Sequence, residues 1–298
     1  MHDVPEFTRQ RALDAYRIID TLPERAYDDI VRVAAAVCGV PIALLSLIDR
    51  DRQWFKAQLG LDLRQTARDE AVCNHAIRQP ERLLEVPDLA HDPRFADFPA
   101  VVGDEGVRFY AGMPLVTPGG AAIGTLCVID RQPHQLDDTQ RDALEALARL
   151  TVNLLEGRQR ERVLERADLL GRARRDGAPF TVAVIELQDY AGLVARVGER
   201  HAEKLLARLD AALDAVLRAG DRLDRVTHSP EYVAVLHGED AAQALHDLEA
   251  AAHALEHDAP LRILVGSAAA TAADEPVDRV YLRADEALSR AKGGAAAA

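Results

Sequence analysis

The sequence predicts an α+β protein in two parts: an antiparallel sheet with flanking helices, then an α/β part, joined by one long helix. Three observations carry this. Short continuous apolar runs, the mark of buried strands, fall at 41–48, 110–116 and 122–129, and again at 180–187, 232–236 and 261–268. Helical periodicity surrounds them. Between the halves, from about 136 to 172, a proline-free stretch steps its leucines by three and four residues and then turns almost wholly to charge.

Residues 6–39 read as two helices, with Leu13, Tyr16 and Ile19, then Ile30, Val33 and Val37, at helical steps and Thr21-Leu22-Pro23 as the break. The run PIALLSLI (41–48) ends at Asp49-Arg50-Asp51-Arg52, a turn that feeds a second strand, QWFKA (53–57). The strands at 110–116 and 122–129 join through Gly119-Gly120 as a hairpin. Asp137, Asp138 and Thr139 suit the N-terminus of the connecting helix, whose expected buried stripe is Leu144, Leu147, Leu150, Leu154 and Leu155. Its second half, 156–166, keeps only Val163 and Leu164 as large apolar residues. That is too polar for a core helix and too regular for a disordered linker, so it reads as a connector that pairs with its twin in a homodimer. Periodicity alone fits a single surface helix equally well.

Beyond Asp168 the pattern restarts with a strand at 180–187 and a helix at 190–219 striped by Leu205, Leu206, Leu209 and Leu213. A strand at 232–236, a helix at 240–257, a strand at 261–268 and a helix at 278–292 follow. This alternation describes an α/β or ferredoxin-like domain. The expected boundaries are 1–136 for the first domain with its N-terminal helices, 137–172 for the connecting helix, 173–294 for the second domain and 295–298 for a disordered tail.

Composition narrows the function. The 298 residues allow two domains of ordinary size, and 48% apolar with 29% charged residues leaves material for real cores. A formal charge of −13 argues against nucleic-acid or anionic-membrane partners, which need a basic surface. No apolar run reaches the length of a membrane span and the N-terminus MHDVPEFTRQ lacks a signal peptide's apolar core, so a cytoplasmic protein is expected. Three cysteines, an odd number, fit reduced thiols in a reducing compartment.

The runs VPIALLSLIDRDRQWFKAQLGL (40–61), VCNHAI (72–77), VPDLAHDPRFADFP (86–99), VRFYAGMPL (107–115) and IGTLCVIDRQP (123–133) resemble a bacterial GAF sensor domain in the right order across most of 15–157. The resemblance implies a central antiparallel sheet with helices on one face and a ligand pocket on the other, and leaves the ligand unspecified. Trp54, Phe55, Phe109 and Tyr110 are candidate apolar pocket walls, with Asp49, Asp88, Asp92 and Arg94 as polar anchors. The alternative is that the aromatics are core and the charges hold loops. Cys73 and His75 are the remaining pocket candidates. Their C-x-H spacing lacks the second paired motif that a zinc site needs, so no metal is expected. Cys38 and Cys127 lie in apolar runs and read as inert core.

In the second half VAVIELQDY, RAGDRLDRV, EYVAVL, VGSA and YLRADEALSRAKGG resemble a diguanylate cyclase (GGDEF) domain over 170–294, the last with Asp285, Ala287, Leu288, Ala291 and Lys292 in their expected places. That family condenses two GTP molecules into cyclic di-GMP, which requires carboxylate-held metal ions, close backbone approach to phosphates and residues that read the base. The resemblance puts the first metal carboxylate at Glu186, the guanine-reading positions at Val194 and Glu203, and the signature turn at His228, Ser229, Pro230, Glu231 and Tyr232. Valine offers guanine nothing, His228 and Ser229 replace two glycines, and Pro230 replaces an acidic metal ligand. The loop is one residue longer than usual, and of the lead-in motif only Leu169-Leu170 and Arg172 remain. Together these losses predict an inactive cyclase.

Arg218-Ala219-Gly220-Asp221 matches the R-x-x-D site that binds cyclic di-GMP in that family, so Arg218 and Asp221 are candidate ligand contacts; Asp221 equally suits a turn cap. The expected function is signal transduction: a GAF sensor with an unidentified ligand, coupled through 137–172 to an inactive cyclase-like domain that acts as a cyclic di-GMP receptor or a protein-interaction module. The rivals are an active cyclase with an atypical site, a GAF thiol enzyme or redox sensor using Cys73, and a pair of scaffold modules.

Overall fold

The computed structural model describes residues 4–173, 179–226, 229–257, 261–272 and 274–295; His228 and residues 296–298 of the expected tail lie outside them. The chain splits into two compact units, Met1–Ile19 with Pro23–Gln159, and Asp20–Leu22 with Arg160–Ala298.

The first unit opens with helices α1 (Glu6–Tyr16) and α2 (Arg25–Cys38), the second closed by Gly39 in the left-handed conformation that glycine takes without strain. Strands β1 (Ile42–Ile48), β2 (Arg52–Leu59) and β3 (Gln65–Ala67) follow, then the short helix α3 (Val72–Ala76), β4 (Leu84–Val86), a 3-10 turn, α4 (Pro99–Val102), β5 (Phe109–Val116), β6 (Ala122–Asp130) and the long α5 (Asp138–Ala173). The sheet runs β3-β2-β1-β6-β5-β4, and every neighbouring pair is antiparallel.

Side-chain alternation gives this sheet two different faces. Leu45, Leu47, Trp54, Phe109, Leu126 and Val128 pack with helical residues such as Leu13, Val31, Ala34, Leu144 and Leu155. Leu44, Ile48, Phe55, Tyr110, Cys127 and Ile129 face the other way, against Cys73, Ile77, Leu89 and Phe95.

The helices bury stripes other than those expected. In α2 the buried residues are Tyr27, Ile30, Val31, Ala34, Ala35 and Cys38, while Val33 and Val37 are exposed. In the part of α5 that belongs to the first unit they are Leu144, Ala148, Thr151 and Leu155, with Leu147 partly covered; Leu150 and Leu154 face outward at 54% and 39% exposure. Steps of four, three and four follow the helix's own 3.6-residue period, whereas counting leucines does not.

One register break matters. Leu45 pairs with Ala57 but Ser46 pairs with Phe55, which leaves Lys56 as the extra residue of a β-bulge. The bulge delivers the Lys56 ammonium to the helical side, fully buried, 2.7 Å from Glu24 and 5.3 Å from the centre of the Tyr27 ring. Glu24 also takes Arg158 of α5 at 3.3 Å, and the Arg158 guanidinium donates to the Tyr16 carbonyl at 3.0 Å. The Tyr16 hydroxyl in turn donates to Glu156. This network holds α5 on the first unit.

In the second unit β7 (Phe180–Gln188) leads to α6 (Tyr190–Val197) and α7 (Glu199–Val216), then β8 (Arg222–Arg225), β9 (Glu231–His237), α8 (Ala241–Ala254), β10 (Arg262–Ala269) and α9 (Val277–Ala295). The order β10-β7-β9-β8, antiparallel throughout, is that of a ferredoxin-like β-α-β-β-α-β sheet. The single helix expected over 190–219 is two, broken at Gly198 with φ 82°. Leu205, Leu206, Leu209 and Leu213 form its buried stripe as expected. At Gly266 the backbone of α9 comes so close to β10 that an added Cβ would lie 2.2 Å from the Leu288 nitrogen. Among the described residues no helix is long and apolar enough to cross a membrane.

Burial pushes the Lys56 ammonium down from 10.5 to about 8, and Glu24 offsets this only in part. Between about pH 8 and 10.5 the folded chain therefore holds fewer protons here than the unfolded chain, so stability rises with pH through that window. Urea unfolding across it is expected to show wild type gaining on the order of 2–3 kcal/mol relative to Lys56→Met, in which the rise is absent.

Candidate functional site

The second unit places two carboxylates side by side. Glu186 near the end of β7 pairs in register with Glu231 at the start of β9. Like charges directly opposite on antiparallel strands repel, so such a pair needs a cation. Here each has one from the chain itself. The Lys292 ammonium from α9 lies 2.5 Å from Glu186, and the Arg162 guanidinium from α5 lies 2.7 Å from Glu231. Gln188 also donates to Glu186 at 3.1 Å, and the Tyr281 hydroxyl to Glu231 at 3.5 Å. Glu231 is 2% exposed, so its pairing with Arg162 is a buried one.

The neighbouring positions follow suit. Pro230 is buried and contributes only its carbonyl, which accepts the Leu187 N–H at 3.1 Å. Ser229 turns the chain by donating its N–H to the Val226 carbonyl at 3.1 Å. Val194 packs against the α7–α8 core, and Glu203 points outward from α7. Thus Glu186 and Glu231 are brought together, with Pro230 beside them, while Val194 supplies an apolar contact only.

Arg218 and Asp221 meet each other. One Asp221 oxygen accepts the Arg218 backbone N–H at 3.2 Å and its Nε at 3.1 Å; the other accepts the His237 N–H at 2.8 Å. The remaining Arg218 nitrogens donate to the carbonyls of Asp240 at 3.0 Å and His237 at 3.2 Å. The pair pins the turn after α7 to the end of β9, with Gly220 at φ 108° supplying the left-handed corner.

In the first unit strand alternation divides the expected pocket. Phe55 and Tyr110 face the side opposite the helices, together with Cys73 of α3. Trp54 and Phe109, one residue earlier on each strand, face the helices, and Phe109 stacks edge-on with His134. His75 packs against Phe95 and Phe98, and burial lowers its pKa. The acids are structural here: Asp49 accepts from Gln10 and Arg52, Asp88 caps the 3-10 turn through the Ala90 N–H, and Asp92 holds the Arg94 fork.

A polar cluster unread in the sequence lies under this face. The Tyr110 side chain lies over Gly112, where a Cβ would sit 2.2 Å from its hydroxyl, and that hydroxyl donates to the Cys73 sulfur at 3.3 Å. The Gln53 amide approaches the same sulfur at 3.5 Å, and the Cys127 thiol at 3.7 Å. Ser46 and Thr125, in register on β1 and β6, hold buried hydroxyls on the same side without a hydrogen bond of their own. Two hydroxyls at matching alternate positions of otherwise apolar strands were the available signal. Among the described residues no group of three or more His, Cys, Asp or Glu is arranged to hold a metal ion.

Comparison with known proteins agrees with this architecture. Residues 22–155 match the GAF domain, and residues 159–296 match the diguanylate cyclase, GGDEF domain. The chain therefore carries a GAF domain followed by a GGDEF domain. Over 148 residues it is 41% identical to a cyclic di-GMP phosphodiesterase of Pseudomonas aeruginosa; the match takes in 49% of this chain and 25% of the relative, so the chain spans about a quarter of that protein's length. Among solved structures, a microbial GGDEF domain studied for its interaction with cyclic di-GMP is 28% identical, covering 45% of this chain and 87% of its own, with a TM-score of 0.39. The GAF domain of an Acinetobacter phosphoenolpyruvate-protein phosphotransferase is 18% identical, covering 49% and 94%, with a TM-score of 0.38.

Removing one partner of a buried ion pair strands the other charge. Arg162→Ala is expected to cost about 3–5 kcal/mol in urea unfolding, and adding Glu231→Gln to recover a large part of that loss. A single-variant loss below about 1 kcal/mol, the range of an exposed pair, would show that Glu231 is solvated.

Proposed function

We propose that the chain is a signalling protein whose GAF domain senses and whose GGDEF domain responds by binding, without cyclase turnover. The observation that carries this reading is the neutralisation of Glu186 and Glu231 by Lys292 and Arg162. A divalent metal ion at these carboxylates must displace both internal cations, and Pro230 supplies no further ligand. Val194 gives the guanine base no hydrogen-bonding partner. The chain's similarity over 148 residues to a cyclic di-GMP phosphodiesterase supports a part in cyclic di-GMP signalling.

Of the binding outputs, contact with a protein fits the geometry better than capture of cyclic di-GMP. Every nitrogen of the Arg218 guanidinium and both oxygens of Asp221 are engaged in holding their turn. A nucleotide at this pair must compete with those contacts. The protein works in the cytoplasm as a homodimer through α5, where Leu150, Leu154 and Leu164 are exposed at spacings that fall on one stripe of the helix. A GAF ligand acts by binding one arrangement of these helices more tightly than another.

Incubation of the purified chain with GTP and Mg²⁺ is expected to yield no cyclic di-GMP by chromatography, whereas Glu186-dependent product would overturn the reading. Calorimetric titration with cyclic di-GMP is expected to give no saturable heat. Saturable binding lost in Arg218→Ala would instead make the domain a receptor. Light scattering is expected to report a dimer that Leu150→Asp with Leu154→Asp converts to monomer.

A further inference from the structure

The cysteines of the GAF domain are not equivalent. Cys38 lies on the helical side, where burial, helped by the Asp137 charge, pushes its thiol up to about 11. Cys73 and Cys127 lie on the opposite face, 54 residues apart in sequence, with their sulfurs 3.7 Å apart. Cys73 belongs to α3 and Cys127 to β6, so the contact joins the covering helix to a central strand.

The surroundings distinguish the two sulfurs. Burial alone raises a thiol's pKa, but for Cys73 the polar side chains gathered around it, those of Cys127, Thr125, Tyr110 and Ser46, outweigh burial and lower it. Cys127, which is buried in contact with Cys73 and donates to the Leu44 carbonyl at 3.7 Å, is held well above the usual thiol range by Cys73 and by burial. The Ser46 and Thr125 hydroxyls, buried and without another bond, are free to turn to a negative sulfur. One member of the pair is thus set to ionise and attack, and the other to stay protonated until needed.

We propose that Cys73 and Cys127 form a dithiol that a small hydroperoxide closes to a disulfide, fastening α3 to the sheet. The Cys73 sulfur attacks one peroxide oxygen and the O–O bond breaks. Cys73 becomes a sulfenic acid, and the departing oxygen leaves as water or alcohol with the proton that Cys73 gave up. The Cys127 sulfur then attacks the sulfenic sulfur. The S–O bond breaks, an S–S bond forms, and the hydroxyl leaves with the Cys127 proton as water. Two thiols lose two electrons and one hydroperoxide gains them, so no further reactant is required. The oxidant has to be small because Cys73 is only 2% exposed and Cys127 not at all, which excludes bulky disulfides as direct partners.

The test uses the full chain, reduced and then exposed to hydrogen peroxide. Under denaturing conditions its three free thiols are expected to fall to one. Non-reducing digestion is expected to give a peptide linking Cys73 to Cys127, and dithiothreitol to restore all three thiols. Cys38→Ser keeps the linkage. Cys127→Ser stops at a sulfenic acid on Cys73 that dimedone traps. Survival of all three thiols, thiol loss without the linked peptide, or linkage through Cys38 would each overturn the proposal. The linked-peptide readout needs no variant, so a substitution that fails to fold does not leave the question open.

Discussion

Two carboxylates facing each other across adjacent strands set the terms for the second unit. Glu186 and Glu231 are fixed in register by β7 and β9, and like charges so placed repel unless a cation sits between or beside them. In a cyclase that cation is a metal ion arriving with the nucleotide. Here it is Lys292 on one side and Arg162 on the other, both built into helices of the fold. Each carboxylate thus has a counter-charge from the fold itself. These pairs bring α9 and the latter part of α5 into the electrostatics of the sheet.

The first unit shows a comparable division of labour through strand geometry. A two-residue repeat sends alternate side chains to opposite faces, and one face is committed to helices α1, α2 and α5. The bulge at Lys56 places a buried ammonium among those helices, where Glu24 compensates it and draws in Arg158. The other face keeps its polar groups unspent. Tyr110, Gln53 and Cys127 converge on the Cys73 sulfur instead of on each other, and Ser46 and Thr125 add hydroxyls with no structural bond to lose. Chemistry on this face costs the fold little, whereas chemistry on the helical face would undo the packing.

The sequence made the strong elements plain and the relational ones invisible. Strands β1, β5, β6, β7 and β9 are continuous apolar runs because both of their faces are covered. Three of the four edge strands, β3, β4 and β8, are three or four residues long, and Arg222–Arg225 carries no apolar pattern; their pairing comes from neighbours. Trp54 with Phe55, and Phe109 with Tyr110, are consecutive strand residues and so diverge to opposite faces, which alternation alone requires. Leu150 and Leu154 carry the same side chain as the buried leucines of α5 but fall off their stripe, which only the helical period reveals. Arg162 was beyond reach: its partner is 69 residues away, and one arginine in a charged helix does not announce a buried pair.

The helix α5 supplies side chains to both arrangements, each within its own unit. In the first unit Glu156 accepts from Tyr16 and Arg158 pairs with Glu24; in the second Arg162 pairs with Glu231. Charge that looks like an ordinary solvated face in the sequence is therefore committed position by position. Truncating Arg162 strands a buried carboxylate, whereas truncating an exposed arginine of the same helix, such as Arg149, loses no more than a surface pair. The composition of a charged helix does not tell these positions apart; only the burial of the partner does.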